Sequence, residues 1–432
     1  MKKEYRYYDV FPRLLRAARE TWITIHPRFS HVAFDPEQVY EISLSPAEGV
    51  RGQMGAAKEE HLLLKPENGD LRFPLQIEGE QEYVVFLQAA DRRIAEFRLY
   101  ALEEDLFARR PYKGDFHMHT CYSDGKESPA YLTAACRKIG MDFMAITDHA
   151  RYYPSLEAIE AFKDAPVDLR IYPGEEVHPP NNRVHIVNFG GSFSINELFH
   201  SDQYLAEVRA IAASQEIRVE GGSLDESARY PYASCVWCFY KIREAGGLGI
   251  FCHPYWYSGR AYDVPVALTD LLFEHQPYDA LELIGGYHLH EVESNTLQVA
   301  RYHDERAKRK SIPVVGVSDS HGCEAGNLFG WYYTIAFSPS LDLPDLIASI
   351  KDLYSVAVEA LPNEAARAYG PFRLVRYAQF LMREIFPLHD EYCLEEGRLM
   401  LAYAAGEREC AADLRRLQGR VAGLYKRLWA EA

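Results

Sequence analysis

The chain has 432 residues, of which 48% are hydrophobic and 25% are charged, and its formal net charge is −16. This is the composition of an ordinary globular protein, with enough length for two or three domains and a sizeable core. The acidic balance argues against a protein that binds long nucleic acids or anionic membranes, because phosphate groups attract basic surfaces. It leaves room for a small phosphorylated ligand whose charge is met by metal ions in one pocket.

Cysteine content and hydropathy predict the compartment. The chain has eight cysteines, which is too few for a disulfide framework. No apolar run has the length of a membrane span, and the first residues lack the apolar core of a signal peptide. These features predict a cytoplasmic protein that does not enter a membrane.

Residues 1–110 predict a small β-rich domain that resembles a β-sandwich. Short, partly alternating apolar runs are separated by Pro, Gly, Asn and Asp turns, and they cover residues 39–44, 61–64, 71–77, 83–87 and 94–102. Several short strands at near-regular spacing are typical of a sandwich. Residues 11–22 are predicted to be helical or irregular.

Residues 111–360 show a different pattern, in which strands alternate with helices. The predicted strands cover residues 114–118, 142–147, 168–173, 184–189, 248–252, 280–284 and 312–318. The predicted helices cover residues 129–139, 156–162, 196–213, 237–245, 266–273 and 292–310. Such alternation indicates a parallel sheet, and at this length a closed or nearly closed barrel, whose functional groups collect at the C-terminal strand ends.

Two further segments complete the organisation. Residues 190–196 and 220–232 are rich in Gly, Ser, Asp and Tyr and predict a long loop near the mouth of a site. Residues 361–432 predict a helical C-terminal extension of two or three helices. Its leucine and valine seam suits packing on a neighbouring helix or, alternatively, a homo-oligomer contact, and consists of Leu414, Leu417, Val421, Leu424 and Leu428.

Histidines and carboxylates stand at the ends of the predicted barrel strands. His117 and His119 end the first strand, Asp148 and His149 the second, and the Glu175–Glu176 pair the third. His185 lies in the fourth strand, His253 follows the fifth, and Asp319 and His321 end the last. One such histidine would ordinarily be a hydrogen-bonded core residue. The whole set at one end of one sheet is what divalent transition metals require.

These residues resemble the motifs of the PHP (polymerase and histidinol phosphatase) metallohydrolase family. The motifs, in the family's order, are His117-Met-His119-Thr with Ser123-Asp124-Gly, Thr147-Asp148-His149, Gly174-Glu175-Glu176, His185, His253-Pro254 and Ser318-Asp319-Ser320-His321. The resemblance covers residues 112–360. It implies a distorted (β/α)7 barrel and a site for up to three divalent metal ions.

The resemblance also implies how nine ligands are shared. His117 and His119 would bind a first metal with Glu176 and Asp319, and Glu176 would bridge to a second metal. His185 and His253 would complete the second metal, and Asp124, His149 and His321 would hold the third. The Gly-x-Glu spacing of the family implies Glu176 rather than Glu175, and only one of the two should be a ligand because neighbouring side chains on a strand point to opposite faces.

The ligand chemistry predicts a metal-dependent hydrolase. Nine ligands shared among three metals leave positions open for water and substrate, which is typical of a catalytic site. Mixed histidine and carboxylate ligands suit zinc, manganese or iron. Clustered metals generate hydroxide near neutral pH and clamp phosphoryl oxygens. We therefore expect a phosphoesterase that uses a metal-activated hydroxide on a small phosphomonoester or nucleotide.

Five other residues are candidates for the reaction or for substrate binding. Asp148 would assist proton transfer or, alternatively, orient a ligand histidine. Arg151, predicted near the catalytic groups, and Arg183, predicted with the substrate, could each contact an anion or, alternatively, be a solvated loop charge. Tyr255 and His288 follow predicted strand ends and could line the pocket.

Two other functions stay open from the sequence. A metallohydrolase of carboxylic or carbamate esters would use the same centre. A PHP-like scaffold or binding protein without catalysis would not need all nine ligands, so the intact set argues against it.

Overall fold

The structure, a computed structural model, describes residues 4–49, 60–90, 92–214, 226–324 and 328–430. The chain forms two compact units. The first unit comprises residues 1–110, 379–392 and 419–432, and the second comprises residues 111–378 and 393–418. The predicted domain boundaries stay predictions, because a division by compactness does not test whether each part folds independently.

The first unit is built mainly of β-strands. Its elements are α1 (Glu4–Tyr7), β1 (Tyr8–Phe11), β2 (Leu14–Arg16), β3 (Thr21–Pro27), β4 (Tyr40–Pro46), β5 (Glu60–Leu64), β6 (Leu71–Leu75), β7 (Gln81–Ala89), β8 (Arg92–Leu102) and α2 (Glu104–Phe107). They form a three-stranded sheet, β1-β3-β6, and a five-stranded sheet, β2-β8-β7-β4-β5. Side chains of both sheets, such as Phe73 and Phe97, belong to one buried apolar cluster.

The prediction for residues 11–22 is wrong in part, because residues 12–13 and 17–20 are irregular but the rest is extended. This stretch contains β2 and the start of β3 rather than a helix. β2 is only three residues long and pairs in parallel with β8, from Leu14 opposite Tyr100 to Arg16 opposite Leu102. A strand this short has no readable alternation, so its partner rather than its own pattern determines its conformation.

The second unit alternates strands and helices, as its sequence predicts. Its elements up to residue 369 are β9 (Arg110–Asp115), α3 (Pro129–Lys138), β10 (Phe143–Ala145), α4 (Tyr153–Phe162), β11 (Arg170–Tyr172), β12 (Gly174–Val177), β13 (Ile186–Phe189), α5 (Asp202–Ala213), α6 (Glu226–Glu244), β14 (Leu248–Phe251), β15 (Tyr257–Ser258), β16 (Ala261–Tyr262), α7 (Val266–His275), β17 (Ala280–Gly285), α8 (Val292–Ala307), β18 (Val314–Val317), β19 (Tyr332–Ser338), α9 (Leu343–Lys351), β20 (Ser355–Glu359) and β21 (Arg367–Tyr369). The mixed α/β class is confirmed.

The sheets of this unit are mixed, so the prediction of a parallel sheet is wrong in part. One sheet has the order β11-β10-β9-β19-β20-β21 and the other has the order β12-β13-β14-β17-β18. β9, β10 and β11 pair in parallel, as do β14, β17 and β18. β12, β13 and β14 are antiparallel, as are β19, β20 and β21. The closed (β/α)7 barrel stays a prediction.

Two isolated bridges link residues of the two sheets, of which Met118, Ser320 and His149 lie just beyond a strand end and Glu176 lies within β12. Met118 pairs in parallel with Ser320, and His149 pairs in parallel with Glu176. Both bridges involve or flank predicted metal ligands. The strands of the two sheets therefore deliver their final residues to one place.

The predicted long loop is wrong in part. Residues 226–232 belong to α6, while residues 215–225 lie outside the described residues. Residues 190–195 are irregular and lead into a short 3₁₀ helix, Asn196–His200. The Pro231 inside α6 disguised the start of this helix, since proline normally interrupts one.

The C-terminal region is helical, as predicted, but it contains more helices than predicted. These are α10 (Phe372–Glu384), α11 (Phe386–Ala404), α12 (Cys410–Leu417) and α13 (Arg420–Leu428). The leucine seam does not lie on one helix, because Gly419, with φ 78°, separates α12 from α13. No helix among the described residues is long and apolar enough to cross a membrane.

Candidate metal centre

The backbone after β9 is joined to the backbone after β18. His119 N donates to Ser320 O at 2.9 Å, and Asp319 N donates to His117 O at 2.9 Å. The buried Asp115 carboxylate accepts from His117 N at 3.2 Å and from Ser318 N at 3.1 Å. This pairing fixes the two histidines of the first motif beside the aspartate of the last.

A tight turn brings Asp124 back toward His119. Gly125 N donates to Thr120 O at 2.9 Å. A Cβ atom on Gly125 would lie 2.3 Å from His119 O, which is too close for any other residue. The glycine of the Ser-Asp-Gly motif is therefore required by close backbone packing.

The adjacent Glu175 and Glu176 side chains have different surroundings. Glu175 accepts hydrogen bonds from Asn188 Nδ2 at 3.1 Å, Ser194 Oγ at 2.7 Å and Asn196 Nδ2 at 2.8 Å. Glu176 points to the other face of β12 and meets histidines. Glu175 thus holds the following loop, and Glu176 is left to the site.

Glu176 lies at the centre of the histidine cluster. Its Oε1 lies 2.8 Å from His185 Nδ1 and 3.4 Å from both His117 Nε2 and His253 Nε2. Its Oε2 lies 3.8 Å from His119 Nε2 and contacts His149 Nδ1. A single carboxylate therefore touches imidazoles from β9, β10, β13 and β14.

Asp124 and Asp319 complete the cluster on either side. Asp124 lies 3.4 Å from His149 Nε2 and 3.2 Å from His321 Nε2. Asp319 Oδ1 lies 2.8 Å from His119 Nε2 and 3.4 Å from His117 Nε2. All nine predicted ligands are thus linked by nitrogen–oxygen distances of 4.0 Å or less.

Two of these nine residues have a left-handed backbone. His253 has φ 25° and Asp319 has φ 49°. A residue with a Cβ atom adopts this region at a cost of roughly 1–2 kcal/mol, and such residues concentrate at functional sites. The chain turns sharply at both positions as it leaves β14 and β18.

Several buried polar atoms of the cluster have no hydrogen-bond partner among the described residues. They are both ring nitrogens of His117, Nδ1 of His185, Oε2 of Glu176 and both carboxylate oxygens of Glu282. Burying a polar atom without a partner costs about 1–3 kcal/mol. Divalent ions would satisfy such atoms, so the residues fit a metal centre.

The charge balance of the cluster favours added positive charge. Burial opposes ionisation of Glu176, but the charges of His185 and His117 outweigh it and hold the Glu176 pKa well below its usual range. Burial lowers the pKa of His149, yet its hydrogen bond to Glu176 and the nearby carboxylates raise that pKa to about 9. The carboxylates thus favour protonated histidines, and bound metal ions would supply the same positive charge.

The groups that could hold an ion overlap the predicted sharing without matching it. His119 joins Asp124, His149 and His321 in one group, and His253 groups with His117 and Asp319. A further group contains His178 with His149, Glu176 and His185. In each group the candidate ligand atoms lie within 4.8 Å of one another.

His178 and Glu282 were missed from the sequence. His178 Nε2 lies 3.2 Å from Glu176 Oε2 and 3.0 Å from His149 Nδ1. Its signal was available, because a residue two positions beyond Glu176 shares its strand face. Glu282 is the lone charge in the buried strand β17, and its Oε2 lies 3.6 Å from His117 Nδ1.

Asp148 is buried beneath the loop that carries His119 and Asp124. Its carboxylate accepts from Thr120 N at 2.8 Å, from Thr120 Oγ1 at 2.6 Å and from Ser123 Oγ. These bonds occupy both oxygens. They favour a positioning role over proton transfer.

Of the predicted substrate contacts, His288 lines the cavity at the cluster and the others do not. A cavity of about 270 Å³ opens on the cluster, and its lining includes His288, Trp256 and Glu291. Arg151, Arg183 and Tyr255 are not in this lining. Arg151 is exposed and donates to Tyr153 Oη at 3.3 Å, Arg183 lies 3.5 Å from Asp263, and Tyr255 packs on the apolar core.

A mixed α/β unit with histidines and carboxylates gathered at its strand ends has the features of a metallohydrolase domain. Residues 115–207 match the family model of the PHP domain. This stretch of the chain is therefore similar to the PHP domain. The match includes seven of the predicted or added ligand candidates, namely His117, His119, Asp124, His149, Glu176, His178 and His185.

A short segment of the chain is similar to a known protein. A segment of 57 residues is 42% identical to DNA polymerase/3′-5′ exonuclease PolX of Bacillus subtilis (strain 168), and it covers 13% of this chain and 10% of that protein. The chain thus spans about a tenth of that relative's length.

The comparison with solved structures gave only weak likenesses. One is a two-domain protein of Bacteroides vulgatus containing a predicted PHP-like metal-dependent phosphoesterase, with TM-score 0.38, 17% identity, and coverage of 58% of this chain and 65% of that chain. Another, assigned as a metal-dependent phosphoesterase of Bifidobacterium adolescentis, has TM-score 0.32, 22% identity, and coverage of 50% and 90%. Likenesses this loose do not transfer an activity, so the chemistry depends on this chain's own residues.

Proposed function

We propose that this protein is a metal-dependent phosphoesterase that hydrolyses a small phosphomonoester or nucleotide. The observation that carries the proposal is the cluster of six histidines and three carboxylates around the buried Glu176. Its unpartnered buried atoms and its negative centre are both relieved by bound cations. The PHP-domain match supports the same class of reaction.

The predicted ligand set would hold up to three divalent ions of zinc, manganese or iron. Glu176 would be shared between two ions, and this is supported by its two oxygens, which face different histidines, His185 on one side and His149 on the other. When bound, such ions acidify a coordinated water and neutralise charge on a phosphoryl group. The (β/α)7 barrel is the architecture we expect around this centre.

The remaining residues of the site would position the ligands and select the substrate. Asp148 holds the turn that carries Asp124 through its bonds to Thr120 and Ser123. His288, Trp256 and Glu291 form part of the rim over the metal cluster. A cavity of about 270 Å³ is small for a ligand site, which favours a compact phosphorylated substrate over a polymer.

The proposal is tested by metal analysis of the purified full chain, followed by turnover of phosphomonoesters, phosphodiesters and carboxylic esters. We expect at least one ion per chain and metal-dependent release of phosphate from a phosphomonoester. Removal of the metal with a chelator should abolish turnover, and re-addition should restore it.

Two variants make this test specific. His119→Ala removes a central ligand and should abolish turnover, whereas His303→Ala changes an exposed histidine on α8 and should leave turnover within about twofold of wild type. Metal content below one ion per chain with no hydrolysis would contradict the enzyme. Turnover of carboxylic esters alone would replace the phosphoesterase with the esterase alternative.

A further inference from the structure

Glu282 is a buried carboxylate that the nine-ligand set leaves without a role. It lies in the middle of β17, where all six residues are buried, and its own exposed fraction is 0%. Neither of its carboxylate oxygens has a hydrogen-bond partner among the described residues. A charge-bearing group buried in this way is strongly destabilising unless something compensates it.

A bulge in the sheet sets the position of Glu282. The pairing of β17 with β18 shifts register between Glu282 and Ile284. Gln298 Nε2 donates to Glu282 O and to Leu283 O, both at 3.1 Å, and so satisfies the carbonyls at the bulge. Bulges of this kind re-aim a side chain, and a dedicated glutamine supports this one.

The carboxylate is aimed at the rear of His117. Glu282 Oε2 lies 3.6 Å from His117 Nδ1, while His117 Nε2 faces Glu176 and Asp319 at 3.4 Å each. One ring nitrogen therefore points into the cluster and the other points at Glu282. Both are buried without a hydrogen bond of normal geometry, although the Cys252 thiol also lies against this imidazole.

We propose that Glu282 is a positioning residue for His117, accepting a hydrogen bond from Nδ1–H so that Nε2 is presented to a metal ion. A histidine that binds through Nε2 carries its hydrogen on Nδ1, and an acceptor there fixes both the tautomer and the ring orientation. A closure of roughly 0.6 Å would give a bond of normal length. The inference rests on the proposed metal site.

The proposal makes two properties change in opposite directions. With a metal bound, its charge on the far side of the imidazole compensates Glu282. Without a metal, the nearest donor to Glu282 is His117 Nδ1 at 3.6 Å, which is longer than a hydrogen bond, so the cost of burying the carboxylate is not offset and removing it should help the fold. A residue that served packing alone would lower stability in both states when replaced.

The test uses Glu282→Leu, which removes the acceptor, and Glu282→Gln, which keeps a neutral acceptor. Metal affinity is measured by chelator competition with zinc, and the thermal midpoint is measured on metal-free full chain. For Glu282→Leu we expect an affinity about 10- to 100-fold lower, with a smaller loss for Glu282→Gln. The metal-free thermal midpoint should rise by about 2–4 °C in Glu282→Leu.

A matched control is Glu396→Leu, another buried glutamate of the same unit. Glu396 is paired with Arg137 at 2.7 Å, so its loss should lower the metal-free midpoint and leave zinc affinity unchanged. Cobalt-loaded protein supplies a third measurement, because a reoriented His117 alters the visible ligand-field spectrum in the Glu282 variants and not in the control.

Three outcomes would overturn the proposal. One is unchanged zinc affinity in Glu282→Leu, and another is a lower metal-free midpoint in that variant. The third is loss of a whole zinc equivalent in both Glu282→Leu and Cys252→Ser, which would make Glu282 a ligand in the His117, Cys252 and Glu282 group. If wild type itself binds no metal, the proposed function fails first, and that result is separate from these three.

Discussion

Two regions of the second unit bury carboxylates in opposite ways. Beside α3, the Arg137 guanidinium donates to Glu396 at 2.7 Å and to Asp142 at 3.1 Å. The second oxygen of each carboxylate accepts from a backbone amide, of Asp168 and Lys113 respectively. In the metal centre, by contrast, Glu176 and Glu282 keep oxygens that no described donor satisfies.

The presence or absence of hydrogen-bond donors distinguishes structural carboxylates from candidate metal-binding carboxylates in this protein. In the Arg137 region every carboxylate oxygen of Glu396 and Asp142 has a donor, although Arg137 Nη2 has no partner among the described residues, so these carboxylates serve the fold. In the Glu176 region some carboxylate oxygens have no donor among the described residues, so these carboxylates could be compensated by bound cations. Replacing carboxylates in the two regions should therefore have different effects, on metal binding in one and on stability in the other.

The largest expected effect is on catalysis in Glu176→Gln. Replacing the central carboxylate removes the partner of His185 and His117, so metal binding and phosphomonoester turnover should both be lost. The loss should exceed the roughly 10- to 100-fold typical of a residue that only supports a ligand. Steady-state turnover and metal content by mass spectrometry measure it.

The adjacent glutamate is the control for this prediction. Glu175→Gln disturbs the bonds from Asn188, Ser194 and Asn196 and should lower stability by about 1–3 kcal/mol while metal content per folded chain stays constant. Equal metal loss in both variants would show that the two glutamates do not differ in function.

A large effect on stability alone is expected for Glu396→Leu. Arg137 would be left buried without its principal partner, and breaking a buried pair in this way costs about 3–5 kcal/mol. Urea denaturation of metal-free protein measures the free energy of unfolding. Restoration of part of that loss by a second change, Arg137→Met, would support the pair as the cause, and an unfolding free energy within about 1 kcal/mol of wild type would contradict it.

The smallest expected effect is for His178→Ala. His178 is about one-third exposed and is one of four members of its group, so its loss should weaken one ion about tenfold and leave the others. Titration of metal-free protein with zinc should show a single weakened class of site. His303→Ala serves again as the surface control, and identical titrations of wild type and His178→Ala would remove His178 from the centre.

Several predicted ligands could be positioned from the sequence because they stand where an apolar run ends. His119, His149 and Asp319 could be placed in this way without knowing any sheet order. The antiparallel pairing of β12 with β13 could not, since a strand of four residues carries no mark of its direction. The same holds for β2 in the first unit.

Glu282 shows a second limit. A single glutamate in Ala-Leu-Glu-Leu-Ile is visible as an anomaly in a buried strand. Its target is not, because His117 is far away along the chain and the bulge that aims the side chain depends on Gln298. Long-range pairing of this kind is fixed by tertiary structure alone.

The left-handed backbone at Asp319 and His253 has a consequence for how a mutational scan of this protein should be interpreted. Alanine at either position would lose the side chain and also sit poorly in that backbone conformation, so its phenotype would mix two causes. Asparagine tolerates such a conformation well, and Asp319→Asn therefore isolates the carboxylate charge. No other side chain has the shape of the His253 imidazole and also tolerates this backbone conformation. Glycine and asparagine, which both tolerate a positive φ, should therefore be compared before an activity loss is assigned to the imidazole.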